Sequence, residues 1–371
     1  MKKILIVTGG FSSGGLERVT ALIGNKLAKT NKVVYYSLED VKPFYKLDAT
    51  EIYDCPQNIS DELSVFLFKS YRKIRQHLFK KNIVYLRRPS QHIDKYIKEN
   101  NIDTVILTGW SLTFGDFLKN NNPNLNLILW MHSDHRTYFD NYFKDYNAEL
   151  KNAMHSANHI IALTEEDVRG YSQYSERVIK ISNPITIDNK GQKSDLNKKI
   201  ISFTSRYVID AKGLDYLVEI AKKLPDDWII NVAGSGNNAE VAAFKSMIME
   251  NNVEAKINLL GVLSDEKLRT HYQESSIYIM TSRWEGFGLV LTEAMSFGLP
   301  IISFKNSGSN EVLDDGKFGI LVEQGSIEGF SQKLELLISN YDLRKEYSFK
   351  SLQRANYFEI ESIIKKWENI V

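Results

Sequence analysis

Apolar residues in this chain gather into short, nearly unbroken runs of four to seven, separated by longer stretches in which they recur every three or four positions. The runs are rich in Val, Ile, Tyr and Phe and predict strands at Ile4–Thr8, Lys32–Ser37, Thr104–Thr108, Asn126–His132 and His159–Leu163. A second series predicts strands at Lys199–Thr204, Trp228–Ala233, Ile257–Leu260, Ile277–Met280, Pro300–Phe304 and Gly319–Val322. The stretches between them carry helical periodicity, notably Leu16–Lys29, Gly213–Lys223, Asn238–Asn251, Ser264–Glu274, Leu289–Phe297 and Ile327–Asn340. Strands that are apolar on both faces and alternate with helices imply parallel sheets with right-handed crossovers. Two such series in one chain imply an α/β protein of two Rossmann-like doubly wound domains facing across a cleft.

The pattern breaks once. Asn183-Pro184 closes a strand-like run, and IDNKGQKSDLNKK follows with neither periodicity, which reads as an interdomain linker. The expected division is 1–185 for the N-terminal domain and 198–354 for the C-terminal one. A closing helix within 355–371 carries Phe358, Ile363, Ile364 and Trp367 as apolar anchors.

Composition adds limits. The length, 371 residues, suits two domains, and the net charge of +1 gives no global field for nucleic acid. The single cysteine, Cys55, allows no disulfide framework and fits a reducing compartment. The N-terminal apolar run is too short for a signal peptide, and no run approaches the ~18 residues of a membrane span, so a cytoplasmic protein is expected. Charge is uneven locally: Leu63–Ile93 holds no acidic residue but includes Lys69, Arg72, Lys73, Arg75, Lys80 and Lys81. Leu67, Tyr71, Ile74 and Leu78 make 65–81 a basic amphipathic helix. It reads either as a surface helix packed on its own core or as a face for anionic lipid at the inner side of the plasma membrane.

Ligands of doubly wound sheets bind outside the carboxyl ends of the strands, so the chemistry is sought in the loops there. The most informative is TSRWEGFGLVLTEAMSFGLP, residues 281–300, a strand exit, a glycine turn and a helix. It sets Glu285 in the turn and Glu293 about two helical turns on, so that two carboxylates can hold hydroxyls of one polyol ligand. The turn and the helix N-terminus suit an anion. In TSRYVIDAKGLDYL, residues 204–217, Arg206 and Lys212 share one strand-to-helix loop and suit a diphosphate, or are simply solvated charges. GGFSSGGLERV, residues 9–19, is a glycine loop after the first strand, but its spacing is not G-x-G-x-x-G. Glu39-Asp40 after the second strand keeps a dinucleotide reading open. In WMHSDHR, residues 130–136, His132, Asp134 and His135 fit no common zinc spacing, and a cleft-lining histidine is the better reading. No D-x-D pair is placed after a strand for a metal–diphosphate complex, and no G-x-S-x-G, C-x-x-C or Walker A loop is present.

Taken together these loops resemble the GT-B glycosyltransferases of family GT4, retaining enzymes that include bacterial polysaccharide and glycolipid transferases. The resemblance covers nearly the whole chain. EGFGLVLTEAMSFGLP is similar to the family's E-x7-E signature, SRYVIDAKGLDYL to its donor-diphosphate loop and GGLERV to its N-terminal glycine loop. ISNPI stands at the domain junction with Pro184 where many relatives carry glycine, and the last helix resembles one that crosses back to the N-terminal domain. The resemblance implies an N-terminal acceptor domain, a C-terminal nucleotide-sugar donor domain and hexosyl transfer with retention. Arg206 and Lys212 would bind the donor diphosphate, Glu293 the ribose and Glu285 the transferred sugar. Amides of Phe287, Gly288 and Leu289 would meet sugar or phosphate oxygens, and Gly286 would belong to the same donor-binding turn. Gly14 and Gly15 would close over the diphosphate, His132 would line the reaction centre, and backbone at Val262 and Leu263 would meet the base. It further implies a UDP-sugar donor, with GDP-mannose as the rival, a glycan or lipid-linked acceptor and no metal or other cofactor. A nucleotide-sugar epimerase of the same fold and a non-catalytic, glycan-binding partner subunit are the alternatives.

Overall fold

The computed structural model describes residues 1–39, 42–53 and 88–371. Asp40, Cys55 and the basic segment 65–81 lie outside the described residues. The chain forms two compact units, one of residues 1–181 with 364–371 and one of residues 182–363.

The first unit carries seven parallel strands: β1 (Lys3–Thr8), β2 (Lys32–Ser37), β3 (Thr50–Tyr53), β4 (Thr104–Thr108), β5 (Asn126–Trp130), β6 (His159–Ala162) and β7 (Val178–Lys180), in the order β3-β2-β1-β4-β5-β6-β7. β1 pairs with β2 from Lys3↔Lys32 to Thr8↔Ser37 and on its other side with β4 from Ile4↔Thr104. Helices cover both faces, which is why Ile4, Leu5, Ile6 and Val7 are all fully buried instead of alternating. The chain returns here at its end. Trp367 is buried, with its ring 4.5 Å from that of Trp130, and Asn126 donates to the Ile370 carbonyl at 2.6 Å.

The second unit carries six parallel strands: β8 (Ile200–Thr204), β9 (Ile229–Ala233), β10 (Ile257–Gly261), β11 (Ile277–Met280), β12 (Ile301–Phe304) and β13 (Ile320–Val322), in the order β10-β9-β8-β11-β12-β13. Its core joins Phe203, Leu217, Ile230, Phe244, Ile279, Phe304 and Phe330. Helix Asn238–Glu250 opens on a capping box: Asn237 accepts from the Glu240 amide at 3.0 Å, and Glu240 accepts from the Asn237 amide at 2.7 Å.

One element escapes the periodicity reading: β3, TEIY, is short and carries a glutamate. β7, a three-residue edge strand, lies in the strand-like run that closes at Asn183-Pro184. The polar segment after Pro184, expected as an interdomain linker, is bonded along the second unit: Asn189 donates to Ser296 O at 2.5 Å, Ser194 N to Phe297 O at 2.8 Å and Asp195 N to Gln273 O at 2.8 Å. Its polarity supplies these bonds. No helix among the described residues is long and apolar enough to cross a membrane.

Candidate functional site

In each sheet the strand order reverses once, between β1 and β4 and between β8 and β11. Chains leaving neighbouring strands there depart in opposite directions and open a crevice at the carboxyl edge.

In the second unit the two loops at the reversal are tied together. The β8 loop leads into a one-turn helix, Ile209–Lys212, then Gly213 and helix Leu214–Ala221. The β11 loop, residues 281–288, leads into helix Leu289–Ser296. Thr281 Oγ1 donates to Lys212 O at 2.8 Å, and Arg283 N donates to Ala211 O at 3.0 Å. The Arg283 guanidinium grips both Asp215 oxygens at 2.9 and 2.6 Å and lies 4.0 Å from the Tyr216 ring centroid. Gly213 has φ +59°, and a Cβ there would run into the Thr281 carbonyl, so the close approach of the loops requires glycine. Gly288, at φ +84°, makes the turn into the following helix.

That framework delivers Lys212 Nζ to Glu285 Oε1 at 2.6 Å, with both side chains largely buried. Ser282 Oγ donates to the same oxygen at 2.7 Å. Glu285 Oε2 has no hydrogen-bond partner among the described residues. Arg206, six residues before Lys212, is exposed, and its guanidinium likewise has no partner among the described residues. Gln324 and Asn306 donate to the Ser282 carbonyl at 3.2 and 3.1 Å and brace the turn.

Glu293 is a different kind of carboxylate, only 4% exposed. Thr186 Oγ1 donates to its Oε1, and Tyr272 OH donates to its Oε2 at 2.9 Å. The two glutamates flank Tyr278, whose hydroxyl is pushed well above its usual pKa by burial first, then by Glu293 and Glu285. The remaining second-unit candidates scatter by environment. Phe287 is buried with its ring 5.6 Å from Phe358, Gly286 and Leu289 are part-buried, Leu263 is half-buried, and Val262 is 59% exposed.

In the first unit, Gly14 caps helix Gly15–Leu27, and Tyr45 OH donates to its carbonyl at 3.1 Å. His132 follows β5, its ring 4.4 Å from Trp130, its amide donating to Tyr138 OH at 3.1 Å. Burial lowers its pKa to about 3, so the imidazole is neutral, and Nε2 is buried with no hydrogen-bond partner among the described residues. Asp134 and His135 do not join it in a cluster: Asp134 Oδ1 accepts from Thr137 N at 3.0 Å, and His135 Nδ1 faces Asp167 at 3.6 Å. Among the described residues no group of three His, Cys, Asp or Glu is placed to hold a metal.

Sequence reasoning missed Tyr272, Thr186, Ser282 and Trp110. Trp110 stands 44% exposed just after β4, its ring 5.2 Å from both Phe143 and Tyr146. The only signal for it was an aromatic residue straight after a strand.

The family described as glycosyl transferases group 1 matches residues 185–353. An uncharacterized glycosyltransferase of Haemophilus influenzae is 30% identical over 381 residues, covering 100% of both chains. The amylovoran biosynthesis glycosyltransferase AmsD of Erwinia amylovora is 26% identical over 387 residues, again covering 100% of both. Among solved structures, Anabaena HepE in complex with UDP and glucose superposes with a TM-score of 0.76 at 16% identity, covering 100% of this chain and 99% of that one.

Proposed function

The chain belongs to the group 1 glycosyltransferases, with the GT-B fold, and on that premise we propose that it moves a hexose from a nucleotide sugar, a UDP-sugar by preference, to a glycan or lipid-linked acceptor in surface polysaccharide synthesis. The observation that carries this reading is the pairing of Lys212 with Glu285 across the two loops of the second switch point, with Glu285 Oε2 and Arg206 left available. A diphosphate entering there meets Lys212 and Arg206, and its charge competes with Glu285 for the Lys212 ammonium. Glu285, released in part, then offers its carboxylate to the sugar. Glu293, inside the following helix, takes the ribose hydroxyls.

Transfer proceeds with retention. The bond from the anomeric carbon to the phosphate oxygen breaks, and the acceptor oxygen bonds to the same face. Its proton passes to the departing phosphate. Charge grows on that phosphate, and Lys212, Arg206 and the amides of Gly288 and Leu289 stabilise it without the reorganisation that water would need. These groups do the work a metal does elsewhere, so the reaction is expected to need none. His132, neutral at every physiological pH, serves as a hydrogen-bond partner for a sugar hydroxyl and not as a charge. The AmsD likeness supports the polysaccharide setting, and the HepE complex supports the choice of UDP.

The test is calorimetric titration of UDP, then GDP, into the wild type and Lys212→Ala in metal-free buffer. Saturable binding of one nucleotide, weakened in the variant, is the expected result. Binding of neither, or equal binding by both proteins, would overturn the donor site.

A further inference from the structure

His132 stands two residues past the end of β5. Tyr138 holds its amide, but its imidazole makes no hydrogen bond among the described residues. The ring contact it makes is with Trp130, 4.4 Å between centroids at a tilt of 43°. The backbone explains why these two rings meet. Met131 N still donates to Ile161 O at 2.9 Å, so the extended chain runs on past β5, and residues two apart point to one face. Leu127, Leu129 and Met131 take one face and enter the core of the first unit, which leaves Asn126, Ile128, Trp130 and His132 to the other. The end of the chain runs along that second face. Asn126 donates to the Ile370 carbonyl, and Trp367, near the end of the closing helix Ile360–Glu368, sets its ring 4.5 Å from that of Trp130 at 62°. Trp130 and Trp367 are each 1% exposed. Three rings therefore stand in series, Trp367 against Trp130 and Trp130 against His132, at separations typical of packed aromatic pairs. A functional imidazole is commonly oriented by a hydrogen bond to one ring nitrogen. Here packing alone orients it, and a close-packed interior transmits a displacement.

We propose that Trp367 is a positioning residue for His132, acting through Trp130, so that the last residues of the chain set the imidazole that meets the sugar; the sugar contact itself rests on the role given to His132 in the proposed reaction. Neither indole touches the ligand. With Trp367 cut back, Trp130 gains room to rock away from the imidazole, and the ring loses the one surface that orients it. A misplacement of about 1 Å is enough to cost ~10²-fold in rate when a group must meet a reacting substrate.

The experiment records the imidazole Hε1 signals of wild type, Trp367→Ala, Trp367→Phe and Trp130→Leu by proton–carbon NMR, with His132→Ala assigning the His132 signal. Turnover of the same proteins is read as UDP release from UDP-glucose and from UDP-N-acetylglucosamine, with water as acceptor. The wild-type His132 signal is expected to carry the ring-current shift of a stacked imidazole. Trp367→Ala and Trp130→Leu are expected to move that signal and to lower kcat by about tenfold or more, and Trp367→Phe to restore both. In a His132→Ala background Trp367→Ala is expected to cost nothing further, because it acts through the missing ring. A His132 signal unmoved by Trp367→Ala, or a loss that multiplies with that of His132→Ala, would overturn the proposal alone, since Trp367 would then only seal the sheet. If Trp367→Ala does not fold, Trp367→Leu takes its place with the same expectations. A His132→Ala protein that turns over like wild type would sink the sugar role of His132, and a wild type that releases no UDP would count against the UDP-sugar donor. In both cases the NMR signal still decides whether Trp367 places the ring.

Discussion

The two switch points share a topology and differ in construction. At the second, the loops after β8 and β11 are bonded to each other, a glycine is forced by contact, and a lysine meets a glutamate. At the first, the loop after β1 is tied to a different segment: Phe11 is buried and accepts from Phe44 N at 2.8 Å, Gly14 is tied by Tyr45, and a Cβ on Gly9 would meet nothing within 4 Å. Among the described residues after β4, β5 and β6 stand the half-exposed indole of Trp110, the buried neutral imidazole of His132, Asp134 and the His135–Asp167 pair. A doubly wound sheet supplies the crevice in both cases, and among the described residues the second unit sets a largely buried lysine–glutamate pair there, fixed before any ligand arrives. Anion chemistry is therefore expected to belong to the second unit, and adaptable hydroxyl recognition to the first.

The strongest way to break this contrast is Lys212→Ala. It removes the ammonium and leaves Glu285 unpaired, and sugar transfer is expected to fall by about 10²–10³ in kcat, the scale of losing one preorganised charge donor; a radiolabelled-sugar transfer assay measures it. Gly213→Val comes next. A side chain at φ +59° against the Thr281 carbonyl should lower stability by more than about 2 kcal/mol and part the loops, seen as an earlier unfolding transition of the second unit. Glu285→Gln should impair transfer yet leave UDP binding intact or up to about tenfold tighter, since a neutral amide competes poorly for Lys212; complete loss of UDP binding in a folded variant would refute the assignment.

The first unit gives smaller effects. His132 has a folded pKa of about 3 against 6.5, so between those values the unfolded chain binds a proton that the folded one does not. Stability therefore rises with pH across that window and is flat above it. His132 alone should cost about 2 kcal/mol at pH 5, a slope that His132→Asn removes in denaturant titrations at several pH values. His271 in the second unit, lowered to about 4 by burial, acts in the same direction. His135 opposes both, because Asp167 raises its pKa, and its contribution is lost as pH rises through that raised value. Smallest of all is Gly9→Ala, expected to shift stability by under about 0.5 kcal/mol, the counterpart of Gly213→Val on the open loop.

Strand positions were legible because a parallel strand buried on both faces must be apolar throughout, and ILIVT or IYIM has no other use in a soluble chain. β3 was not, since an edge strand this short needs little apolar surface. Lys212 and Glu285 could each be suspected from their loops, but not their contact, which depends on Gly213 letting two backbones meet across 73 residues of sequence. Tyr272 and Thr186 gave no signal at all. Tyr272 reads as a core aromatic and Thr186 as a linker hydroxyl, and only the fold carries Thr186 to a glutamate 107 residues away. A polar strap can look like a free tether when its partners lie far along the chain.

The return of residues 364–371 to the first unit has a consequence for engineering. Lys2 Nζ donates to the Val371 carbonyl at 2.5 Å, so the two ends of the chain lie side by side. The second unit is then a cassette: one uninterrupted stretch of gene encodes it, while the first unit is split and needs Trp367 to cover Trp130. Swapping the cassette between relatives while keeping the last eight residues of the host would exchange the Lys212–Glu285 switch point and leave the host's aromatic seal intact.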